Sequence, residues 1–183
     1  MSEQLLVKHC PPTLAGIKTG NLFSCAYKNK TELFTVLREI NRKLRTKGIR
    51  ALPLRYSEKR ALIYVYRPKT LGKDLSRTEA AALLQQAGYE KLNHNYCIGE
   101  LTRRLRLKED FPHEVGLFLS YPPEDVRAFM EHKNEGCKCV GCWKVYGDEK
   151  EAQRLFDSYK ICTNHYCKQW RNGVSIEDLA TVI

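Results

Sequence analysis

A chain of 183 residues, 43% hydrophobic and 28% charged, has the composition of an ordinary folded domain with one sizeable core, which excludes an intrinsically disordered chain. Its net charge of +10 is uneven: residues 1–110 hold 22 Lys and Arg against 10 Asp and Glu, whereas residues 111–183 hold 9 against 11. No run nears the roughly 18 consecutive apolar residues of a membrane span and "MSEQLLVKHCPP" lacks a signal-peptide pattern, so a cytoplasmic protein without membrane insertion is expected, its 8 cysteines reduced.

In chain order, the first unusual passage is "HCPPTLAGIKTGNLF", residues 9–23. Cys10 beside His9 suggests a nucleophile with its base. Neighbours in an extended chain point to opposite faces, however, so His94, His113 or His132 would have to supply the base through the fold. Gly16, Lys18, Thr19 and Gly20 hint at anion binding, but "GIKTG" does not fit the phosphate-loop pattern, and a rigid entry loop with a solvated Lys18 is the plainer reading.

"TGNLFSCAY" (19–27) then reads as a strand. Thr31 is placed to cap a helix in which Leu33, Leu37, Ile40 and Leu44 recur at helical spacing, and Gly48 ends it. This basic helix, 31–47, also carries Arg38, Arg42, Lys43, Arg45 and Lys47, with Arg50 and Arg55 just after. Arg38, Arg42 and Arg45 share the side opposite the apolar stripe, which suits a phosphate backbone and equally suits a solvated face. No RNA-recognition signature accompanies them: "ALIYVYR" has aromatics at 64 and 66 without the glycine-containing pattern.

"IRALPLRY" and "RALIYVYR" around "SEK" predict a hairpin, with Pro53 marking the first strand as a sheet edge. Ser76 and Glu79 suggest a capping box before "AAALLQQ", and Gly88 closes that helix. A helix with Arg103, Arg104 and Arg106 follows at 98–108. "VGLFLSY" (115–121) predicts a buried strand, Pro122 and Pro123 open a helix, and "CWKVY" predicts a strand. Asp148 and Glu151 open a further helix with Ala152, Leu155, Phe156 and Tyr159 on one face, and a last short helix starts at Ser175. The expected fold is α+β: one domain over 1–183, with a basic part (1–110) and a Cys-rich part (111–183). A small mixed sheet, made by the N-terminal strand, helix and hairpin, is covered by several helices, and a Cys-rich strand-helix unit closes the chain.

"EGCKCVGCWKVYGD" (135–148) carries the C-x2-C pair Cys139 and Cys142, whose spacing lets two thiolates grip one ion. If the following helix packs back on its strand, Cys162 and His165 return to complete a Cys3His set for structural zinc. Cys137 and Cys167 are the alternates. A helix broken near Thr163 would instead gather thiolates for an iron-sulfur cluster. Core thiols and a redox pair are the competing readings.

"HCPPTLAGIKTGNLF", "FPHEVGLFLSYPPEDVRAFM" and "GCWKVYGDEKEAQRLF" together resemble an uncharacterised bacterial family catalogued as domain of unknown function 3793, across nearly the whole chain. The resemblance implies no activity, cofactor or catalytic residue. Three functional expectations therefore stand, and whether the chain is an enzyme stays open. The leading one is a metal-binding protein of binding or regulatory role, holding zinc, or less readily an iron-sulfur cluster, on Cys139, Cys142, Cys162 and His165. The alternatives are a thiol enzyme using Cys10, with Lys18 receiving an anionic substrate, and a nucleic-acid binder using helix 31–47.

Overall fold

The run "RALIYVYR" is apolar at successive rather than alternate positions, which suits a strand buried on both faces, and it forms the centre of a three-stranded sheet. The computed structural model describes residues 2–107, 111–133 and 135–183. Their contacts sort into two units: a sheet unit, running to Lys69 and resuming over Ile161–Ile183, and a helical unit, Thr70–Lys160. The fold is α+β, as expected, but the units do not coincide with the two parts read from charge.

The sheet unit begins with two short helices, α1 (Glu3–His9) and α2 (Pro11–Leu14), where the sequence suggested only a loop. β1 (Gly20–Ala26), α3 (Lys30–Leu44), β2 (Arg50–Tyr56) and β3 (Arg60–Tyr66) follow in the expected order. The sheet order is β1-β3-β2 and every pairing is antiparallel, so the sheet is not mixed. Ala61, Ile63 and Val65 of β3, with Phe23, Cys25 and Ala51, meet Leu33, Leu37, Ile40 and Leu44 of α3 in one core. Leu6, Cys10 and Leu14 join it from the N-terminus, Ile176 and Ala180 from the C-terminus. On the opposite face Tyr64 and Tyr66 stack with ring centroids 4.8 Å apart, and both are buried.

β2 is an edge, as Pro53 implied, and the edge is blocked. The Asn41 side chain of α3 takes both outward groups of Ala51, accepting from its N–H at 2.8 Å and donating to its carbonyl at 2.7 Å. Two residues on, Pro53 has no N–H to offer, and the register shifts between Pro53 and Arg55. Asn29 rather than Thr31 caps α3, accepting from the N–H of Glu32, and Gly48 ends the basic segment at φ +72°.

The helical unit holds α4 (Pro68–Leu75, from its third residue), α5 (Thr78–Gln86), α6 (His94–Leu107), α7 (Val115–Phe118), α8 (Pro123–His132), the strands β4 (Cys139–Val140) and β5 (Lys144–Val145), and the first half of α9 (Glu149–Arg171). Here "VGLFLSY" is a helical turn, not a strand: an apolar run of that length is equally a buried helix segment, and periodicity does not separate the two. Ser76 does not cap α5, since its hydroxyl donates to the carbonyl of Lys73 and Arg77 holds the cap position. Lys108, expected at the end of the basic helix, lies outside the described residues. α8 opens at Pro123 and lies against α5, α7 and β5. Asp148 starts α9 by accepting from the N–H groups of Lys150 and Glu151. The chain ends in α10 (Ile176–Leu179), capped by Ser175, within the sheet unit.

Candidate functional site

The C-x2-C passage is a hairpin turn. The Gly141 N–H donates to the carbonyl of Trp143 at 3.0 Å, and the Phe156 ring of α9 lies against Gly141 so closely that a Cβ there would overlap it. Trp143 stacks on Tyr121 at 4.8 Å and meets Phe156 edge-on at 4.6 Å, in a cluster with Val145, Ala152 and Tyr159. α9 therefore packs back on its strand, as expected. Cys139 sits beside Glu149 in the first turn, where burial and then that carboxylate push its pKa up. Cys142 is exposed. Cys162 and His165 come thirteen and sixteen residues after Glu149, about 20 and 24 Å further along the helix axis.

Each remaining member of the expected set has another place. Burial pushes the Cys162 thiol up to about 11, and His165 packs edge-on to Tyr166 at 6.1 Å. Cys137 donates to the carbonyl of Cys139 at 3.1 Å, and Cys167 to that of Val7 on α1 at 3.5 Å. α9 runs unbroken through Thr163, so the break required to gather thiolates for an iron-sulfur cluster is missing. Among the described residues no three His, Cys, Asp or Glu side chains are grouped to hold a metal ion, and the Cys3His set is not brought together.

Cys10 is placed as a core side chain. It is fully buried between α1 and α2, and burial drives its thiol well above the ordinary range, the reverse of what a thiolate nucleophile needs. His9 stacks on Phe23 at 5.1 Å, His113 lies edge-on to Phe129 at 4.9 Å, and His132 is beside Glu131. Two cavities of about 520 and 210 Å3 open in the helical unit, and neither is lined by a cysteine. Lys18 is buried, 7% exposed, and is not a free cation.

The loop after Cys10 serves Arg67. Its guanidinium, 2% exposed with the rest of the side chain, donates to the carbonyls of Thr13 (2.7 Å), Leu14 (2.7 Å), Lys47 (2.9 Å) and Thr181 (2.7 Å). No carboxylate is among these partners. Thr13 and Leu14 of this passage thus turn their carbonyls inward to a cation, and the reading of Lys18 as solvated is corrected, since that side chain is buried. Burial lowers the pKa of Arg67, but arginine keeps its charge in proteins.

The basic helix presents a different arrangement. Lys30, Phe34, Arg38 and Arg42 follow one another at four-residue steps, a row that winds slowly along the flank of α3 facing β2. Arg45 continues it, and Arg55 stands exposed on β2. Among the described residues Arg38, Arg42, Arg45 and Arg55 make no ion pair. Lys43, on the other flank, is taken by Glu3 at 2.8 Å and Glu177 at 3.9 Å. Glu32 and Glu39 also fall on that other flank by helical spacing. Phe34 is 42% exposed and leans on Tyr56, with ring centroids 6.2 Å apart. Phe34 and Tyr56 escaped the sequence reading, although the four-residue step from Lys30 through Arg42 was there to find.

Residues 6–180 match the profile of a family described as "Protein of unknown function (DUF3793)". The chain belongs to this family. No curated protein and no solved structure matches it. In this DUF3793 protein two of the three passages that carried the resemblance meet at Asp125, which is 3% exposed on α8. One carboxylate oxygen accepts from the Trp143 ring N–H at 2.7 Å, and the other from the N–H groups of Tyr146 and Gly147 at 2.7 and 2.8 Å. The third passage, "HCPPTLAGIKTGNLF", is the one that grips Arg67. These contacts each hold part of the fold, and no helix among the described residues is long and apolar enough to cross a membrane.

Proposed function

We propose that this DUF3793 protein binds nucleic acid through the flank shared by α3 and the edge strand β2. The observation that carries the reading is the row of exposed arginines, Arg38, Arg42, Arg45 and Arg55, with no carboxylate paired to any of them among the described residues. An ordinary solvated helix face intersperses opposite charges at three- and four-residue steps, which adds a few tenths of a kcal/mol per pair. Here like charges repel along the row instead, and a polyanion lying on it would relieve that repulsion while releasing its own counterions. Asn41 and Pro53 deny β2 to an added strand, so recognition falls to side chains.

The test is fluorescence anisotropy of a labelled oligonucleotide across a salt series. The affinity should fall linearly in log-log form, and the triple variant Arg38→Glu, Arg42→Glu, Arg45→Glu should weaken binding at least ten-fold. It should also flatten the slope by about 2 if each arginine neutralises one phosphate of a single strand. Arg103→Glu, which reverses a cation already paired to Glu100 at 2.7 Å, is the control and should change little. Absence of binding at low salt, or a triple variant that binds like the parent, overturns the reading.

A further inference from the structure

We infer that the nucleic acid is single-stranded and that one of its bases stacks on Phe34. This rests on the nucleic-acid reading above and specifies its substrate class. Phe34 lies on α3 one turn after Lys30 and one turn before Arg38, so a cation stands about 6 Å away along the axis on either side of the ring. Lys30 and Arg38 are therefore about 12 Å apart along the axis, close to two phosphate steps of an extended strand rather than one. A strand laid along the row with one base on the ring would bring its phosphates toward Lys30 on one side and Arg38 on the other.

The ring is held ready for this. Tyr56 is packed by Phe34 at 6.2 Å and a 52° tilt, and by Tyr27 edge-on at 6.2 Å and 80°. Lys30 Nζ lies 5.3 Å from the centroid of the same Tyr56 ring, and the Tyr27 hydroxyl donates to the carbonyl of Ser57 at 2.8 Å. Three groups thus fix Tyr56, and Tyr56 in turn supports Phe34 from beneath while 42% of Phe34 stays open to solvent. A rigid, exposed ring within a row of cations is the arrangement that reads unpaired bases by their faces and phosphates by their charge. Paired bases have both faces covered by their neighbours in the stack. A duplex can therefore meet the arginines but not the ring.

The experiment compares four probes: a labelled single-stranded oligonucleotide, the duplex of the same sequence, heparin, and a polyglutamate peptide. Phe34→Ala should weaken the single strand about ten-fold or more and leave heparin unchanged. Phe34→Trp should hold or tighten single-strand binding, with the new indole quenched on addition of the oligonucleotide. The duplex should bind more weakly than its single strand to the parent protein and be indifferent to Phe34→Ala. The inference is overturned if the duplex binds as tightly as the single strand, if polyglutamate outcompetes the oligonucleotide, or if Phe34→Ala changes nothing. It is also overturned if Phe34→Ala lowers heparin and oligonucleotide alike. A protein whose arginine triple variant loses affinity while Phe34→Ala does not retains the broader reading and loses this one.

Discussion

The two units differ in charge balance and in where most of their arginines go. In the helical unit, 14 Lys and Arg stand against 15 Asp and Glu, and three of its arginines are paired to carboxylates, while Arg77 and Arg127 are exposed without an ion pair among the described residues. Arg104 donates to Glu100 at 2.8 Å and Glu114 at 3.4 Å and lies over the Tyr89 ring at 4.5 Å, Arg103 holds Glu100, and Arg154 holds Glu151. In the sheet unit, 17 Lys and Arg face only 6 Asp and Glu. One of those arginines, Arg67, is buried on carbonyls alone, and a row of others is left in water. Arginine paired to carboxylate is charge consumed by the fold; arginine without a partner is charge available to something else. The comparison explains why the basic helix α6, although it looks as suitable in sequence as α3, is the poorer candidate for a polyanion.

The sharpest way to break the comparison is at the buried charged anchor of each unit, a cation in one and a carboxylate in the other. Arg67→Met removes the donors of four carbonyls at once and should cost about 4 kcal/mol of stability, with Arg67→Lys recovering less than half of it because an ammonium cannot span the same acceptors. Chemical denaturation measures the size, and hydrogen exchange should place the lost protection in the sheet unit. A loss under 1 kcal/mol would mean that water replaces the guanidinium easily. In the helical unit the corresponding anchor is a carboxylate. Asp125→Ala strands the Trp143 N–H and two backbone N–H groups, and should cost about 3 kcal/mol with the exchange confined to the hairpin and α8. Exchange that spreads evenly through both units in either variant would mean that the two units do not open separately.

Much of the fold, and little of the candidate site, was legible in the residues themselves. β1, α3, β2 and β3 announce themselves because strand alternation, helical spacing and the stops at Gly48 and Pro53 are local signals. Caps slip by a residue or two, Thr31 to Asn29 and Ser76 to Arg77, because several polar residues in a row could each serve. The N-terminal helices were missed because α2 has 4 residues and "HCPP" carries the marks of a loop. The placing of the cysteines was illegible for a different reason. C-x2-C is the spacing of a tight turn as much as of a metal knuckle, and what shapes this turn is the ring of Phe156, fifteen residues away in sequence. Nor does anything near Arg67 foretell its burial, since backbone carbonyls leave no signature in composition. The arginines of α3 were visible from the start. That they have no partners was not, because pairing is a property of neighbours in space.

A pH titration separates the units more gently. Hydrogen bonds from Arg103, opposed by burial and reinforced by Arg104, hold the Glu100 carboxyl at about 2 against an ordinary 4.5. Its folded pKa is depressed, so its contribution is whole above pH 4.5 and is lost as the pH falls toward 2. Glu100→Gln should flatten the acid limb of the stability curve over that window. The effect should be smaller than the two above because Arg103 is 58% exposed and water screens its half of the pairing. An acid limb identical in Glu100→Gln would move the charge balance of α6 elsewhere.

The mildest test lies where the units' contrasting strategies meet a single neutral side chain. Asn41 stands on the same flank as the free arginines, yet it is spent on the fold, closing the edge of β2 through the N–H and carbonyl of Ala51. Asn41→Ala should cost about 1 kcal/mol, the net worth of two neutral hydrogen bonds that water partly replaces. Asn41→Asp keeps an acceptor for the Ala51 N–H but sets its second oxygen against the Ala51 carbonyl where the amide donated, so it should cost at least as much in the denaturation midpoint. It also sets a carboxylate one turn from Arg38 and Arg45, and oligonucleotide affinity should drop several-fold at low salt while Asn41→Ala leaves it nearly unchanged. A loss of affinity confined to the carboxylate variant is what an unpaired, outward-facing charge row requires; equal affinities in the two variants would mean that the row's charge is already answered within the protein.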